Sequence, residues 1–234
     1  EVYFNCASAY AISLMTGDAG FYLDKQYYTP TRSEKDKKTR NKNVLFFNTR
    51  FFAGLTSDEE KLRRDVVKHP EFNAYRRGGT PQNHVLPVWA AFSYFEMGTI
   101  VMLYSYLRGD LRKEVLNYTY PGNNYKKETT KQMDTWLDAI RNLRNYCAHH
   151  SMLAGMTSSV VIPDNRDSSD VLPDNTNLYS RLYALKKILP QKDGDMLAEE
   201  LDKLIWKTKL DIYKMNILPT NWRALYNKIL SLHG

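Results

Sequence analysis

The run that ends at His150 limits what this chain can fold into more than any other part of it. Its apolar residues fall at Met133, Trp136, Ile140, Leu143 and Cys147, in alternating steps of three and four. That is the repeat of one face of an α-helix; a strand needs a repeat of two. The spacing predicts a helix that starts at Thr129 or Thr130 and runs past Cys147. Turned at about 100° per residue, it puts Trp136, Ile140, Leu143 and Cys147 on one stripe, expected to be buried. Asp134, Asp138, Arg141, Asn145 and His149 gather on the opposite side. Arg144 sits on the flank between them, and His150 falls toward the core side.

The same repeat predicts helices over residues 2–15, 178–189, 195–215 and 221–230. A further helix should start at Ser57, where Glu60 three residues on completes a capping box, and should end at Pro70. Pro87 suits the first turn of one long apolar helix that reaches Gly109. Loops are expected at 32–42, at the basic turn 76–81, at 121–124 and across 155–177, with a short strand at 160–162. The fold class is therefore all-α, with short helices packed around two long ones. Residues 1–56 read as an N-terminal segment with a basic loop and 57–234 as a helical domain, or the two as one continuous domain.

A hydrophobic content of 43% supplies a core, and 17 Tyr supply many half-buried contacts. The net charge of +7 suits a polyanion such as RNA; a merely soluble basic protein fits it too. Arg32, Lys35, Lys37, Lys38, Arg40, Lys42, Arg76 and Arg77 are the candidate RNA contacts, the alternative being solvated surface. Two cysteines, Cys6 and Cys147, form no disulfide framework, which points to a reducing cytoplasm. No secretory signal is recognisable. The apolar stretch 85–107 is interrupted by Pro87, Ser93, Glu96 and Gly98 and reads as core rather than membrane span. The sequence opens at Glu1 rather than Met, which leaves room for a segment upstream.

The polar side of the Trp136 helix carries the chemistry. An Arg offers fixed charge and two-pronged donors to a phosphate, a neutral His takes a proton near neutral pH, and an Asn can orient either. Arg144, Asn145 and His149 are the candidates, with Arg141, Asp138 and His150 in support. Five residues separate Arg144 from His149, so they share no face of a straight helix; a helix end, a bend or a second copy must bring them together. The alternative for His149 is a surface histidine that caps a carbonyl or pairs with Asp138. Cys147, His149 and His150 are too close along one helix for a closed zinc site, and no cofactor is expected.

Arg144-Asn-Tyr-Cys-Ala-His-His-Ser151 resembles the most diagnostic run of the Abi-like family, the AbiD/AbiF type of abortive-infection proteins. Leu86-Pro-Val-Trp-Ala-Ala-Phe-Ser-Tyr-Phe-Glu-Met-Gly-Thr99 resembles that family's upstream helix, and Leu178-Tyr-Ser-Arg-Leu-Tyr-Ala-Leu185 its downstream helix. Where the family continues with Arg-Leu-Trp-Asn, this chain has Met152-Leu-Ala-Gly155. The family's tyrosine-rich N-terminal motif is not evident in residues 1–50.

The resemblance implies a helical bundle of the HEPN superfamily and a metal-independent endoribonuclease used in anti-phage defence. In it the RNA 2′-hydroxyl attacks the adjacent phosphate, with Arg144, Asn145 and His149 as the site. The poor convergence of Arg144 and His149 on one helix predicts a homodimer, or a comparable pairing with a related subunit, and a small structured RNA or a protein is expected as the restraining partner. Two other readings stand beside the endoribonuclease. One is a non-catalytic RNA-binding protein of the same fold, regulated by a small RNA; the other is a helical interaction module whose polar stripe is ordinary surface.

Overall fold

A computed structural model of the chain describes residues 2–30, 37–65, 67–76, 85–122, 125, 127–162, 171–209 and 211–233, the side chains of 74, 76, 127 and 128 excepted. All the regular structure in them is helical, as the sequence predicted; the β-type pairing present is the single bridge between Tyr28 and Leu107. The chain divides into two compact units, Glu1–Tyr125 and Lys126–Gly234. No helix among the described residues is long and apolar enough to cross a membrane.

In the first unit, α1 (Val2–Thr16) packs against α7 (Gly109–Thr119). Small residues at Ala7, Ala9 and Ala11 lie buried along α1 and let the backbones approach. Tyr3 Oη donates to the Thr119 carbonyl at 3.2 Å, at the end of α7, where carbonyls lack helical partners. Gly17 closes α1 in the left-handed region (φ +67°), its N–H bonding the Ser13 carbonyl at 2.9 Å. Beyond it, Phe21 and Tyr22 are wholly buried and meet Phe92 and Phe95 edge-on. Glu59, also buried, accepts the Leu86 N–H at 2.9 Å and pairs with Arg63 at 3.2 Å, while Tyr22 Oη donates to the Leu86 carbonyl at 2.8 Å. Burial, then the Glu59 charge, pushes the Tyr22 hydroxyl well above the usual tyrosine range.

Several sequence expectations for this unit need correction. The 32–42 segment is not all loop: α2 (Lys37–Phe46) takes up its second half, with residues 37–42 exposed. Lys and Arg are good helix formers, and the helix grows out of a buried anchor at Phe47 and Phe51 in the π-helical stretch Phe47–Phe52. That stretch runs straight into α3 (Ala53–Arg64), so Ser57 is interior and caps nothing. α3 stops at Arg64, short of Pro70, because the Asp65 side chain captures the Lys68 N–H at 3.0 Å. Pro70 instead opens the 3₁₀ turn Pro70–Phe72, which leads into α4 (Asn73–Arg76).

The long apolar helix after Pro87 is two helices. Pro87 sits extended ahead of α5 (Val88–Ala91), and α6 (Met97–Tyr106) starts afresh after an extended Glu96. Between them Phe92 and Phe95 turn into the Phe21–Tyr22 cluster, and that burial outweighs helical continuity. Gly109 starts α7 rather than ending a helix. The buried Leu111, Val115, Leu116 and Thr119 fall at helical spacing along α7, a helix the sequence reading did not predict.

In the second unit, α8 (Lys127–Ala148) packs against α9 (Leu178–Ile188), followed by α10 (Gln191–Thr208) and α11 (Trp222–Asn227). α10 begins and ends earlier than the expected 195–215: it starts after an extended Pro190 and stops at Lys209, which is left-handed (φ +55°). No strand forms at 160–162. The two arms of the loop instead share isolated bonds, Ser158 N–H to the Thr176 carbonyl and Ile162 N–H to the Asn175 carbonyl, each 3.2 Å.

Lys186 is wholly buried, pairs with Asp195 at 2.5 Å and lies 5.0 Å from the Tyr226 ring centre. Its hydrogen bond holds the Asp195 carboxyl below the usual carboxylate range. A β-carbon on Gly194 would come within 2.6 Å of Lys186 Cδ. Gly194→Ala is therefore expected to lower unfolding stability in urea titration by up to about 2 kcal/mol net, from an overpacking cost of about 1–3 kcal/mol. The roughly 1 kcal/mol that Ala gains over Gly in a helix makes up the difference.

Candidate functional site

α8 carries four of the six side chains singled out for chemistry, Asp138, Arg141, Arg144 and Asn145, and His149 and His150 follow directly after its last residue. Its first half is core: Met133, Trp136, Leu137 and Ala139 are buried. The expected stripe does not continue, however. Ile140 and Leu143 are only half-buried, and Cys147 is exposed. The reason lies in α9, which runs antiparallel. Lys187 Nζ lies 5.9 Å from the Trp136 ring centre, while Arg181 Nε donates to Asn142 Oδ1 at 3.3 Å. α9 begins at Leu178, so less than one turn of it extends beyond Arg181, and it cannot cover the last turns of α8.

The end of α8 is a left-handed turn. His150 has φ +52°, its N–H bonds the Cys147 carbonyl at 3.2 Å, and the Ser151 N–H reaches back to the Tyr146 carbonyl at 2.9 Å. These two bonds make a Schellman cap with His150 at the position that favours glycine. His150 is thus exposed rather than core-facing. The 100° projection carries no meaning once the helix has ended at Ala148. His150→Gly is expected to raise stability by about 0.5–1 kcal/mol, since only the β-carbon opposes the left-handed backbone. An unchanged or lower urea midpoint would contradict that conformation.

Arg144 and His149 are exposed and Asn145 is half-buried. Asn145 touches both: its Oδ1 accepts from Arg144 Nη1 at 3.4 Å, and its carbonyl accepts the His149 N–H at 3.0 Å. Asp138 accepts from Arg141 Nε at 2.8 Å, so its carboxylate is engaged by Arg141 rather than by His149. A helix C-terminus presents carbonyls and repels anions. A phosphate there requires nearby cationic charge, and Arg144 presents an exposed guanidinium at that end.

The basic candidates do not all come into view. Lys37, Lys38, Arg40 and Lys42 are exposed on α2. Arg32, Lys35, Arg77 and the side chain of Arg76 lie outside the described residues. A separate 740 Å³ groove along α1, lined by Tyr3, Tyr10, Trp89 and Tyr118 among others, carries no charged side chain among the described residues.

The sequence reading missed Arg181. Its side chain is wholly buried, bonded to Asn142, to Ser180 Oγ at 2.6 Å and to the Val160 and Asn175 carbonyls at 2.5 and 3.4 Å. Burial draws its pKa below the ordinary arginine value. The signal was present: 178–185 is apolar nearly all round, so one cation inside it must find buried partners.

Among curated proteins and among solved structures nothing matches this chain. A family model does, that of the Abi-like proteins, over residues 1–154. The match includes Arg144–Ser151 and also residues 1–50, where no family motif was legible; it stops short of the 178–185 block. It covers well over half of the chain and supports a role in abortive infection. This chain belongs to the Abi-like protein family.

Proposed function

We propose that the protein is an abortive-infection endoribonuclease of the HEPN type, acting without a metal through the end of α8. The observation that carries this reading is the exposed Arg144 and His149 at one helix end, with the Asn145 side chain accepting from Arg144. His149 takes the proton from an RNA 2′-hydroxyl as the O2′–P bond forms. Arg144 stabilises the charge growing on the phosphoryl oxygens. The P–O5′ bond breaks and the leaving oxygen is protonated, giving a 2′,3′-cyclic phosphate and a 5′-hydroxyl. Asn145 holds the arginine in place.

One His149 cannot be base and acid at once. We therefore place two copies about a two-fold axis, each lending one His149 to a shared cleft. The half-exposed Ile140 and Leu143 with exposed Cys147 leave an apolar stripe along the same end of α8, next to Arg144 and opposite Asn145, that a second copy can cover. Incubating the purified protein with single-stranded RNA in excess chelator tests the reaction: cyclic-phosphate ends are expected. Binding without cleavage would favour an RNA-binding protein, and neither would favour an interaction module. Sedimentation is expected to give a dimer, and a strictly monomeric protein that still cleaves RNA removes the shared site.

Affinity for RNA is expected to fall steeply with salt, because Lys and Arg contacts release counterions. Neutralising Lys37, Lys38, Arg40 and Lys42 together should flatten the log–log salt slope by up to about 3, at roughly 0.7 per single-strand contact. An unchanged slope would make the α2 cations solvated surface.

A further inference from the structure

Arg181 is an expensive way to fill a core. A buried cation costs more than an apolar side chain of similar size, and among the described residues the acceptors bonded to this guanidinium are all neutral: the Asn142 amide, the Ser180 hydroxyl and two main-chain carbonyls. The carboxylates of Asp174 and Asp138 only favour its charge through space. What a rigid guanidinium fork provides is fixed geometry among its partners. Here those partners come from separate segments. Val160 and Asn175 stand on the two arms of the loop that follows the Arg144–His149 motif, and Asn142 stands on α8 itself.

The arms are already joined to each other. The Asn175 carbonyl accepts both the Ile162 N–H and Arg181 Nη1, and Ser158 N–H bonds the Thr176 carbonyl. Buried Met156, Ile162, Val171 and Leu172 anchor them. Asn142 in turn lies three residues before Asn145 on the same side of α8, and the Asn145 carbonyl accepts the His149 N–H just past the helix end. The Arg181–Asn142 bond therefore ties both arms to the side of α8 that carries Asn145.

We infer that Arg181 is a positioning residue: it clamps both arms of the 151–177 loop to the Asn142–Asn145 face of α8 that leads into His149, so that loop and motif hold one geometry when RNA is bound. The inference rests on the proposed reading of that site.

Amide hydrogen exchange and RNA turnover, measured together, test it. In Arg181→Met the Ser158 and Ile162 amides are expected to exchange about tenfold faster or more, while peptides from α10 stay protected. RNA kcat should fall about tenfold or more with KM within about twofold, as misplacement without lost charge contacts requires. Arg181→Lys keeps the charge without the fork and should rescue neither. Unchanged exchange, or faster exchange with parental turnover, overturns the proposal. Should Arg181→Met fail to fold, Asn142→Ala carries the same test. It leaves the carbonyl bonds of Arg181 intact, so Ser158 and Ile162 should stay protected while the 149–151 amides exchange about tenfold faster; parental exchange there overturns the clamp. A parent that cleaves no RNA removes the ribonuclease reading alone, and the exchange results still decide the clamp.

Discussion

Alanine at His149 is expected to cut RNA cleavage by about 10²–10⁴-fold, the usual share of a positioned proton-transfer group, while the unfolding midpoint stays at the parental value. The second half of that statement follows from exposure. The His149 ring contributes nothing to the core, and the helix-closing bonds use its backbone and that of His150 and Ser151. Arg144→Ala should cost about 10²–10³-fold, as loss of one charge-stabilising donor does. The double variant should fall little below the worse single one, because residues that act as a unit are not additive. Initial rates at saturating RNA, with urea melts on the same preparations, decide it. Full activity in His149→Ala would end the catalytic assignment.

The largest stability effect is expected at Trp136. Its side chain is 3% exposed on the covered half of α8, and Trp→Ala at such a site costs about 3–5 kcal/mol. Against a typical total of about 5–15 kcal/mol, that is enough to leave the second unit marginal. Cys147→Ala, three turns further on and exposed, should change stability by less than about 0.5 kcal/mol. Comparing the two in urea separates a stripe buried over half its length from one buried throughout. Equal costs would contradict the placement of α9, unless the Cys147 cost vanishes on dilution, in which case a second copy covers that residue.

The α8 helix was legible because Met133, Trp136 and Ile140 repeat at helical spacing and nothing interrupts them. The all-α class followed from the same repeat elsewhere. Helix boundaries were less legible, and for physical reasons. The Ser57 capping box is genuine as a pattern, yet helix already arrives from the Phe47–Phe52 stretch, so no free N–H groups wait there to be capped. Pro87 marks a helix start correctly, but nothing local shows that Phe92 and Phe95 will leave the helix for Phe21 and Tyr22 some 70 residues away.

By itself the sequence determined the helical class, the polar face of α8 and the family, since all three depend on residue types at fixed local spacing. Only the tertiary structure decided how far the apolar stripe is buried, that His150 turns outward, that Asp138 is held by Arg141, and that Arg181 joins the loop to the motif helix. The first and the last depend on where another segment stops or what it brings, such as the start of α9 at Leu178 or the carbonyls of Val160 and Asn175, while the His150 turn and the Asp138–Arg141 pair are local choices of backbone and rotamer that spacing alone does not fix. A local repeat cannot encode a partner that is distant in the chain, because burial and hydrogen bonding are properties of the pair rather than of either residue.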